Sequence, residues 1–506
     1  MKPFPFVFML AGVVSAVTLD ELIPGLADPV VTNRYAAQVQ LEVLAADAAK
    51  PGNEAARVAL SKQLAAKVVD PAVPQPARVW IVRQLELMGR GEVVPSLCKL
   101  LEDGDAELRE CARRALERNP DAKAADCLRG ALQRATDPVW KIGLVHSLGR
   151  RRDPRAASLI VPLLGDAQVG GAAARALGEI ATSEAVRALW RVFDSQPAAV
   201  EALCEAAVRL RSDSIARELY RRSKASHVRA AALSVLGGRD RRLLEEALLG
   251  EDVRLQKAAV DVSTPAVLVA LLPRMPASAK VFALRVVDSE RAVLECFGDP
   301  DESVRVAALE AMARVGTASS VPALIRASVS GTEAERAAAN DSLATINGRG
   351  AAEAIERQAQ DGESAARVAA IQALSARVAK HTVPALLRYA AEADAAVSRA
   401  ALSAVARLGG DESLEPLVSL VISGRAGAKE ALHTVAGRSA NKAGLARKLA
   451  AQLQKVAGEQ VGEILEVLAV LGGAEALSNV VKFARSDSEE VKDRAVRALS
   501  QWRDFE

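Results

Sequence analysis

The residue types that most often carry out chemistry are few in this sequence and stand far apart. Its four histidines, His146, His227, His381 and His433, make no H-x-x-x-H or H-x-x-E pair, the spacing that brings metal ligands onto one helical face. No G-x-S-x-G turn, phosphate-binding glycine loop or cysteine–histidine set stands out. Asp103-Gly104-Asp105 faintly resembles a calcium loop but lacks the later ligands. We therefore predict no catalytic residues, no metal site and no cofactor.

The cysteines do not suggest a site either. Five are present, at 98, 111, 127, 204 and 296, and no two form a C-x-x-C pair. An odd number without that spacing indicates neither a zinc site nor a disulfide framework. Cys98, Cys111 and Cys127 fall in consecutive predicted helices, so two of them can meet if the chain is exported to an oxidising compartment.

Basic residues are most concentrated between positions 150 and 242. A basic patch binds the phosphates of nucleic acid when its charge is not offset. Here acidic residues such as Asp153, Glu218 and Asp240 are interspersed, and the whole chain balances 66 Lys and Arg against 63 Asp and Glu. Solvated helix ends are therefore the favoured interpretation and nucleic-acid binding the alternative. The cluster consists of Arg150, Arg151, Arg152, Arg155, Arg217, Arg221, Arg222, Lys224, Arg239, Arg241 and Arg242.

A repeated helical pattern positions these residues. Between Asp299 and Ile325 it comprises an acidic N-cap, a helix with apolar residues at i, i+4, i+7 and i+11, a break at Gly316 and a second helix. Basic residues at 305, 336, 367 and 399 mark copies that are 31, 31 and 32 residues apart. A fixed period of this length indicates stacked helical hairpins, because one hairpin cannot bury its apolar face alone. We predict about 15 hairpins over the chain.

The repeated unit, D-P-x-x-x-V-R-x-x-A-x-x-A-L, resembles HEAT-like repeats over residues 78 to 503, particularly the short form found in bacterial scaffold proteins and phycobilin lyases. The resemblance implies an all-α fold, a right-handed α-solenoid or superhelix of HEAT-like hairpins. It also implies a structural ladder along the stack, in which each Arg reaches the turn of a neighbouring repeat. The ladder residues are Asp105, Arg109, Asp137, Lys141, Asp301, Arg305, Arg367, Asp394 and Arg399.

The same resemblance places the helix that follows Asp301 on the concave face of the solenoid. Val304 and Ala308 point inward, so a partner meets the positions about 180° away, because each residue advances the helix by ~100°. This face and its equivalents are small, mixed and mildly apolar. They form no basic track for a phosphate backbone and carry no aromatic side chains for stacking on bases. The candidate binding residues are Val306, Glu310, Asp341, Gln372 and Arg407.

The N-terminal part of the chain departs from the repeat pattern. Residues 1–16 have the order of a secretory signal peptide, with one lysine, an apolar run and small residues at the end; an apolar first helix is the alternative. Residues 17–75 read as an irregular helical cap and residues 76–506 as the repeat array, with a bend near 261–279 where three prolines fall. Cleavage predicts export to the periplasm or cell envelope, and retention predicts a cytoplasmic protein.

Taken together, these features predict a non-enzymatic protein–protein interaction scaffold that binds a protein or peptide partner on its concave face. The alternative is a nucleic-acid-binding protein that uses the basic cluster at 150–242. A lyase activity would follow only from the likeness of fold to phycobilin lyases, and a shared fold does not establish function.

Overall fold

The computed structural model describes residues 18–439, 442–453, 459–500 and 502. All regular elements among them are helical, with 32 α-helices and several short 3-10 segments. The chain divides into two compact units, Met1–Leu243 and Leu244–Glu506, which we call unit 1 and unit 2. The predicted signal peptide at 1–16 lies outside the described residues.

The helices follow one another as pairs. In unit 1 they are α1 Leu19–Leu26, α2 Val31–Ala48, α3 Glu54–Val68, α4 Gln75–Met88, α5 Val94–Leu100, α6 Ala106–Arg118, α7 Ala122–Arg134, α8 Pro138–Arg150, α9 Ala157–Ile160, α10 Gly170–Ile180, α11 Ser183–Arg191, α12 Pro197–Leu210, α13 Asp213–Arg222 and α14 Ser226–Leu236. Helix α15, Arg241–Leu249, spans the division between the units.

Unit 2 continues the same pattern. Its helices are α16 Val253–Val262, α17 Pro265–Leu271, α18 Ala277–Leu284, α19 Glu290–Glu295, α20 Glu302–Val315, α21 Val321–Ser330, α22 Glu333–Thr345, α23 Ala351–Asp361, α24 Ser364–Ala376, α25 Val383–Ala390, α26 Ala395–Leu408, α27 Leu414–Ile422, α28 Ala428–Ala436, α29 Lys442–Gln452, α30 Glu459–Leu471, α31 Ala474–Phe483 and α32 Glu489–Ser500. The predicted all-α fold and the α-solenoid of about 15 repeated helical pairs are confirmed.

Aspartates start several of the even-numbered helices, as the repeat pattern predicts. Asp105 accepts a hydrogen bond from the backbone N–H of Leu108 at 2.8 Å, and Asp301 accepts one from Ser303 at 2.8 Å. Such caps satisfy backbone donors that have no partner within the first turn. At the other end of α20, Gly316 is the C-cap, and its N–H donates to Met312. The aspartates at the helix starts are therefore needed by the fold itself.

The even-numbered helices pack directly on one another along each unit, as in α4 on α6, α8 on α10, α20 on α22 and α24 on α26. Successive odd-numbered helices touch far less. Close spacing on one side and wide spacing on the other is the arrangement of a curved stack with the closely packed helices inside. We call the even-numbered helices the inner row and the odd-numbered helices the outer row.

Small residues permit the close spacing of the inner row. A Cβ placed on Gly149 would lie 2.9 Å from the Cα of Ala176, and one on Gly178 would lie 2.8 Å from the Cα of Ala202. The apolar positions predicted for α20 form its core side, because Val304 and Ala308 are fully buried. The abundant alanine of the sequence therefore has a structural reason.

The three prolines between 261 and 279 coincide with short helices. Pro265 begins α17, Pro273 lies in the 3-10 segment Leu272–Arg274, and Pro276 immediately precedes α18. The bend near 261–279 and the cap boundary at residue 75 stay predictions. Among the described residues, no helix has both the length and the hydropathy needed to cross a bilayer.

Candidate partner-binding surface

The candidate binding residues lie on four successive inner-row helices of unit 2. Glu310 on α20, Asp341 on α22, Gln372 on α24 and Arg407 on α26 are exposed, and Val306 on α20 is half-buried. Because these four helices pack on one another in order, the side chains belong to one continuous row of the solenoid. Several other exposed residues of these helices are small, although Glu333, Arg336 and Arg399 are exposed as well. The small ones include Ala337, Ala365, Ala376, Ala396 and Ser403.

The charges on this surface are open to a partner. Within the part of the chain that the structure describes, Glu310, Asp341 and Arg407 form no ion pair. Glu310 and Asp341 lie beyond the first turn of their helices, so neither carboxylate caps a helix. Arg407 lies in the last turn of α26. An exposed charge surrounded by small side chains can approach an oppositely charged group on another molecule without moving its neighbours.

In unit 1 the equivalent surface of α6 and α8 is built differently. Arg113 on α6 is only 9% exposed, and its guanidinium contacts both Glu110 and Glu117 of the same helix. It also donates to the carbonyl of Gly143 on α8 at 3.2 Å and to the hydroxyl of Ser147. The hydroxyl of Ser147 in turn donates to Glu117 at 2.8 Å. This network joins two repeats and engages Glu110 and Glu117, whereas Arg114, at the position equivalent to Glu310, is exposed.

Two titratable groups on the inner row of unit 1 have shifted pKa values. Burial, with the Glu205 carboxylate nearby, raises the pKa of Glu179 above its ordinary value. Burial and then the positive charges of Arg175 and Arg113 lower the pKa of His146. Burial favours the neutral form of each group, because a charge loses hydration there. Neither group belongs to a set of side chains that could hold a metal ion among the described residues.

The ladder arginines are placed differently from the prediction. Arg305 donates to the carbonyls of Asp299 and Pro300, which form the turn before its own helix, at 2.8 and 3.0 Å. Arg109 makes the same contact with its own turn. The contact of Arg305 with the next repeat is to Glu335, on helix α22. The prediction that each Arg reaches the turn of a neighbouring repeat is therefore corrected for these two residues.

Arg367 does contact a turn of the next repeat, through Glu392 at 2.6 and 2.9 Å. The guanidinium of Arg367 is the main cause of the lowered pKa of Glu392.

The remaining ladder residues have local roles or lie at the surface. Asp394 and Asp137 cap their own helices, α26 and α8. Lys141 is half-buried and Arg399 is exposed.

The sequence pattern did not predict the role of a second series of arginines. These residues lie at the C-terminal ends of inner-row helices and donate to the last carbonyls of the preceding inner-row helix. Arg314, for example, donates to the carbonyl of Leu284 at the end of α18 at 3.1 Å, and Arg377 donates to that of Leu343 near the end of α22 at 3.1 Å. A cation at this position also meets the negative end of the helix dipole. The series consists of Arg151, Arg209, Arg314, Arg377 and Arg438. The sequence contained a signal, since Arg314 follows Arg305 by nine residues and Arg377 follows Arg367 by ten, which is about two and a half to three helical turns.

The basic cluster at 150–242 is engaged in internal contacts. Arg217 pairs with Asp240 at 2.7 Å, Arg222 with Asp194 at 2.8 Å and Arg239 with Asp213 at 2.7 Å. Arg151 donates to carbonyls of the preceding repeat. These pairs offset much of the positive charge that phosphate binding would require.

Two of the cysteines are joined, and they belong to the three for which the sequence left a pairing open. A disulfide links Cys98 of α5 to Cys127 of α7, so it connects the outer-row helices of two successive repeats. Cys111, Cys204 and Cys296 are free, and burial raises the pKa of each thiol. The raised pKa values make these three poor nucleophiles.

Two concave regions lie on unit 2. One is a cavity of about 240 Å³ near α17 and α19, in which Lys280 pairs with Asp299 at 2.7 Å. The other is a mainly apolar groove of about 600 Å³ between α25 and α27, with Arg388 and Glu412 on its walls. Over the described residues, no group of three or more His, Cys, Asp or Glu side chains is arranged to hold a metal ion.

Comparison with known families identifies the repeats. Residues 66–147 match the family model of HEAT repeats, and residues 304–330 match the PBS lyase HEAT-like repeat. The chain therefore contains HEAT and PBS lyase HEAT-like repeats, and the resemblance predicted from the sequence is confirmed. A HEAT-repeat solenoid is a fold typical of protein-binding scaffolds. Because PBS lyases can be catalytic, the repeats alone do not decide whether this chain is an enzyme.

Solved structures with a similar fold are distant. A homology model of the AP-3 complex is 11% identical, with 83% of this chain and 93% of that chain covered and a TM-score of 0.35. Kap95p, in a structure with RanGDP, is 14% identical, with 95% and 69% covered and a TM-score of 0.32. The CpcE–CpcF complex of phycocyanin lyase from Nostoc sp. PCC7120 is 23% identical, with 51% and 100% covered and a TM-score of 0.26. Comparison with curated proteins gave no match.

Proposed function

We propose that the chain is a non-enzymatic scaffold that holds a protein or peptide on the inner row of unit 2. The observation that carries this proposal is the surface of α20 to α26, where Glu310, Asp341 and Arg407 are exposed and form no ion pair among the described residues. Charges of both signs suit a partner that also carries both signs, because complementary charges raise the association rate and exclude wrong partners.

Binding at this surface needs no rearrangement of the solenoid. The interactions that hold the repeats together use other side chains, such as Arg305 and Arg314. The candidate residues are therefore available for a partner without loss of a structural contact. A polypeptide that follows the row would meet one candidate side chain on each successive repeat.

Site-specific photo-crosslinking tests this proposal and identifies the partner. A photoreactive amino acid at Gln372, on inner-row helix α24, is expected to capture one defined protein in the cells that produce the chain. The matched control is Gln360, which is also an exposed glutamine but lies on outer-row helix α23. Capture at 360 and not at 372 would contradict the proposal.

We also propose that the mature protein is exported. The order of residues 1–16 supports this, and the disulfide between Cys98 and Cys127 suits an oxidising compartment. Mass spectrometry of the natively produced protein is expected to find an N-terminus at Val17. A mature chain that retains Met1 would contradict export by cleavage.

A further inference from the structure

The outward face of α2 carries a row of apolar side chains that the rest of the described residues leave uncovered. Val31, Tyr35 and Val43 are 66%, 66% and 63% exposed, and Val39 between them is 36% exposed. The opposite side of the helix packs against its neighbours in unit 1 through Ala37, Leu41 and Ala45. We call Val31, Tyr35, Val39 and Val43 the α2 stripe.

A contiguous stripe differs from the other exposed apolar residues of unit 1. Val139, at 76% exposure, stands singly on α8. Val208 and Leu210 on α12, at 60% and 49%, are two residues apart and so point to different sides of their helix. Single exposed valines are ordinary on protein surfaces, whereas contiguous apolar patches mark contact sites. The stripe runs along an 18-residue helix, so it is long enough to pack against another helix.

We propose that the α2 stripe is a homodimer contact, covered by the α2 stripe of a second copy of this chain in an antiparallel, two-fold arrangement. The spacing of four residues makes the stripe a ridge of the i±4 type. Two such ridges interlock when helices cross at about −50°. Val39 lies at the centre of the exposed row, with Tyr35 four residues before it and Val43 four residues after it.

The order of side chains is self-complementary under a two-fold axis. In an antiparallel pair centred on Val39, that residue meets its own copy, and Tyr35 meets Val43 of the second copy. A large aromatic ring thus faces a smaller aliphatic side chain at both ends of the contact. An interface in which one patch pairs with itself is the usual form of a closed dimer.

The charges beside the stripe fit the same arrangement. At ~100° per residue, Arg34 and Glu42 lie on the same edge of the stripe. A two-fold axis perpendicular to both helices brings this edge of one copy beside the same edge of the other copy, with the two helices running in opposite directions. Arg34 therefore comes close to Glu42 of the second copy. Arg34 uses one nitrogen to donate to the carbonyl of Asp28 at 2.9 Å, and a guanidinium has further donors free for a carboxylate. Glu42 is exposed and forms no ion pair among the described residues.

The size of the contact sets its strength. One pair of crossing helices lies at the low end of the interface sizes that support specific association. We therefore expect a dimer that forms with rising concentration and separates on dilution.

Sedimentation velocity of the full chain tests the proposal. The expected result is a mass that rises from monomer to dimer over about a hundredfold range of concentration. Val39→Asp is expected to abolish the dimer, because two carboxylates would meet on the axis. The matched control Val139→Asp places the same change on another exposed valine and should leave the dimer intact. A chain that is monomeric throughout, or a dimer that survives Val39→Asp, would overturn the proposal.

Two further variants keep the test independent of folding defects. Arg34→Glu and Glu42→Arg are each expected to weaken the dimer about tenfold, and the double variant should restore it. Under mild oxidation, Val39→Cys is expected to form a disulfide-linked dimer, whereas Val139→Cys should not. Equal crosslinking of the two cysteine variants would also count against the α2 stripe.

Discussion

The surface of α6 and α8 in unit 1 and the surface of α20 to α26 in unit 2 come from the same repeat but use their charges differently. Around Arg113 the charged side chains contact one another and a neighbouring helix. On α20 to α26, Glu310, Asp341 and Arg407 form no ion pair among the described residues. The first arrangement stabilises the stack, and the second leaves charges for a partner. The repeat pattern therefore defines the fold, while the exposed positions of the inner row decide what each region does.

Removal of the disulfide is expected to have the largest effect, because it should lower the stability of unit 1 and leave that of unit 2 unchanged. Replacing Cys98 and Cys127 by serine removes a crosslink that closes a segment of 29 residues, which should lower the free energy of unfolding of unit 1 by about 3 to 4 kcal/mol. Hydrogen exchange read by mass spectrometry, with and without a reductant, measures the change in stability region by region. Protection in unit 2 should not change. Equal loss of protection in both units would show that the effect is not local.

The second largest effect on stability is expected from the network around the buried Arg113. Arg113→Ala leaves Glu117 without its main partner in a half-buried position and should destabilise unit 1 by about 3 kcal/mol. Arg114 is the control, because it is exposed on the same helix, and Arg114→Ala should change stability by less than about 0.5 kcal/mol. Thermal unfolding of both variants checks the prediction. Similar melting temperatures for the two variants would contradict a structural role for Arg113.

Close packing of the inner row predicts a smaller and local effect on stability. Gly178→Ala forces a Cβ against the backbone of Ala202 and should cost about 2 kcal/mol. Gly171, on the same helix, has open space around it, so Gly171→Ala should be neutral or stabilising by up to about 1 kcal/mol. Denaturant unfolding of the two variants distinguishes them. A neutral Gly178→Ala would mean that the helices of the inner row separate easily.

Substitution of two carboxylates is expected to change the free energy of unfolding at pH 7 in opposite directions. The N–H of Thr332 and then Arg305 lower the pKa of Glu335, so its ionised form stabilises unit 2, and Glu335→Gln should be destabilising at pH 7. Burial raises the pKa of Glu179, so its ionised form costs stability, and Glu179→Gln should be stabilising at pH 7. As the pH falls, the effect at Glu179 should fade first, between its raised folded pKa and the unfolded value of about 4.3, because the folded state takes up the proton there. The effect at Glu335 should fade only below about 4.3, between the unfolded value and its lowered folded pKa.

Melting temperatures of these two variants and the natural chain between pH 7 and pH 3 check the signs. Effects of the same sign at pH 7 would contradict the different surroundings of the two carboxylates. Since each comparison is made between a variant and the natural chain, the general loss of stability in acid does not affect it.

The period of the sequence was enough to predict the fold. Apolar residues at helical spacing and a basic residue about every 31 positions from 305 to 399 describe one hairpin and its copies, and the hairpin can bury its apolar face only by stacking. Helix caps such as Asp105 and Asp301 were predictable for the same reason, since they act within four residues.

Contacts between repeats were harder to predict. The disulfide between Cys98 and Cys127 depends on which two outer-row helices are adjacent and on how their side chains point, and cysteine spacing does not contain that information. Arg305 and Arg314 lie on one helix, yet one contacts its own turn and the other the preceding inner-row helix. A guanidinium on a long side chain reaches in several directions, so its partner depends on the packing of the repeats.

The most direct test of the binding surface uses the partner captured at Gln372. Its affinity for the natural chain is compared with that for Glu310→Lys/Asp341→Lys and for the control Glu353→Lys/Asp361→Lys, which makes the same change of charge on exposed positions of outer-row helix α23. We predict a dissociation constant at least about tenfold higher for the first variant and an unchanged one for the control. Equal affinity of both variants for the partner would contradict binding at the inner row of unit 2.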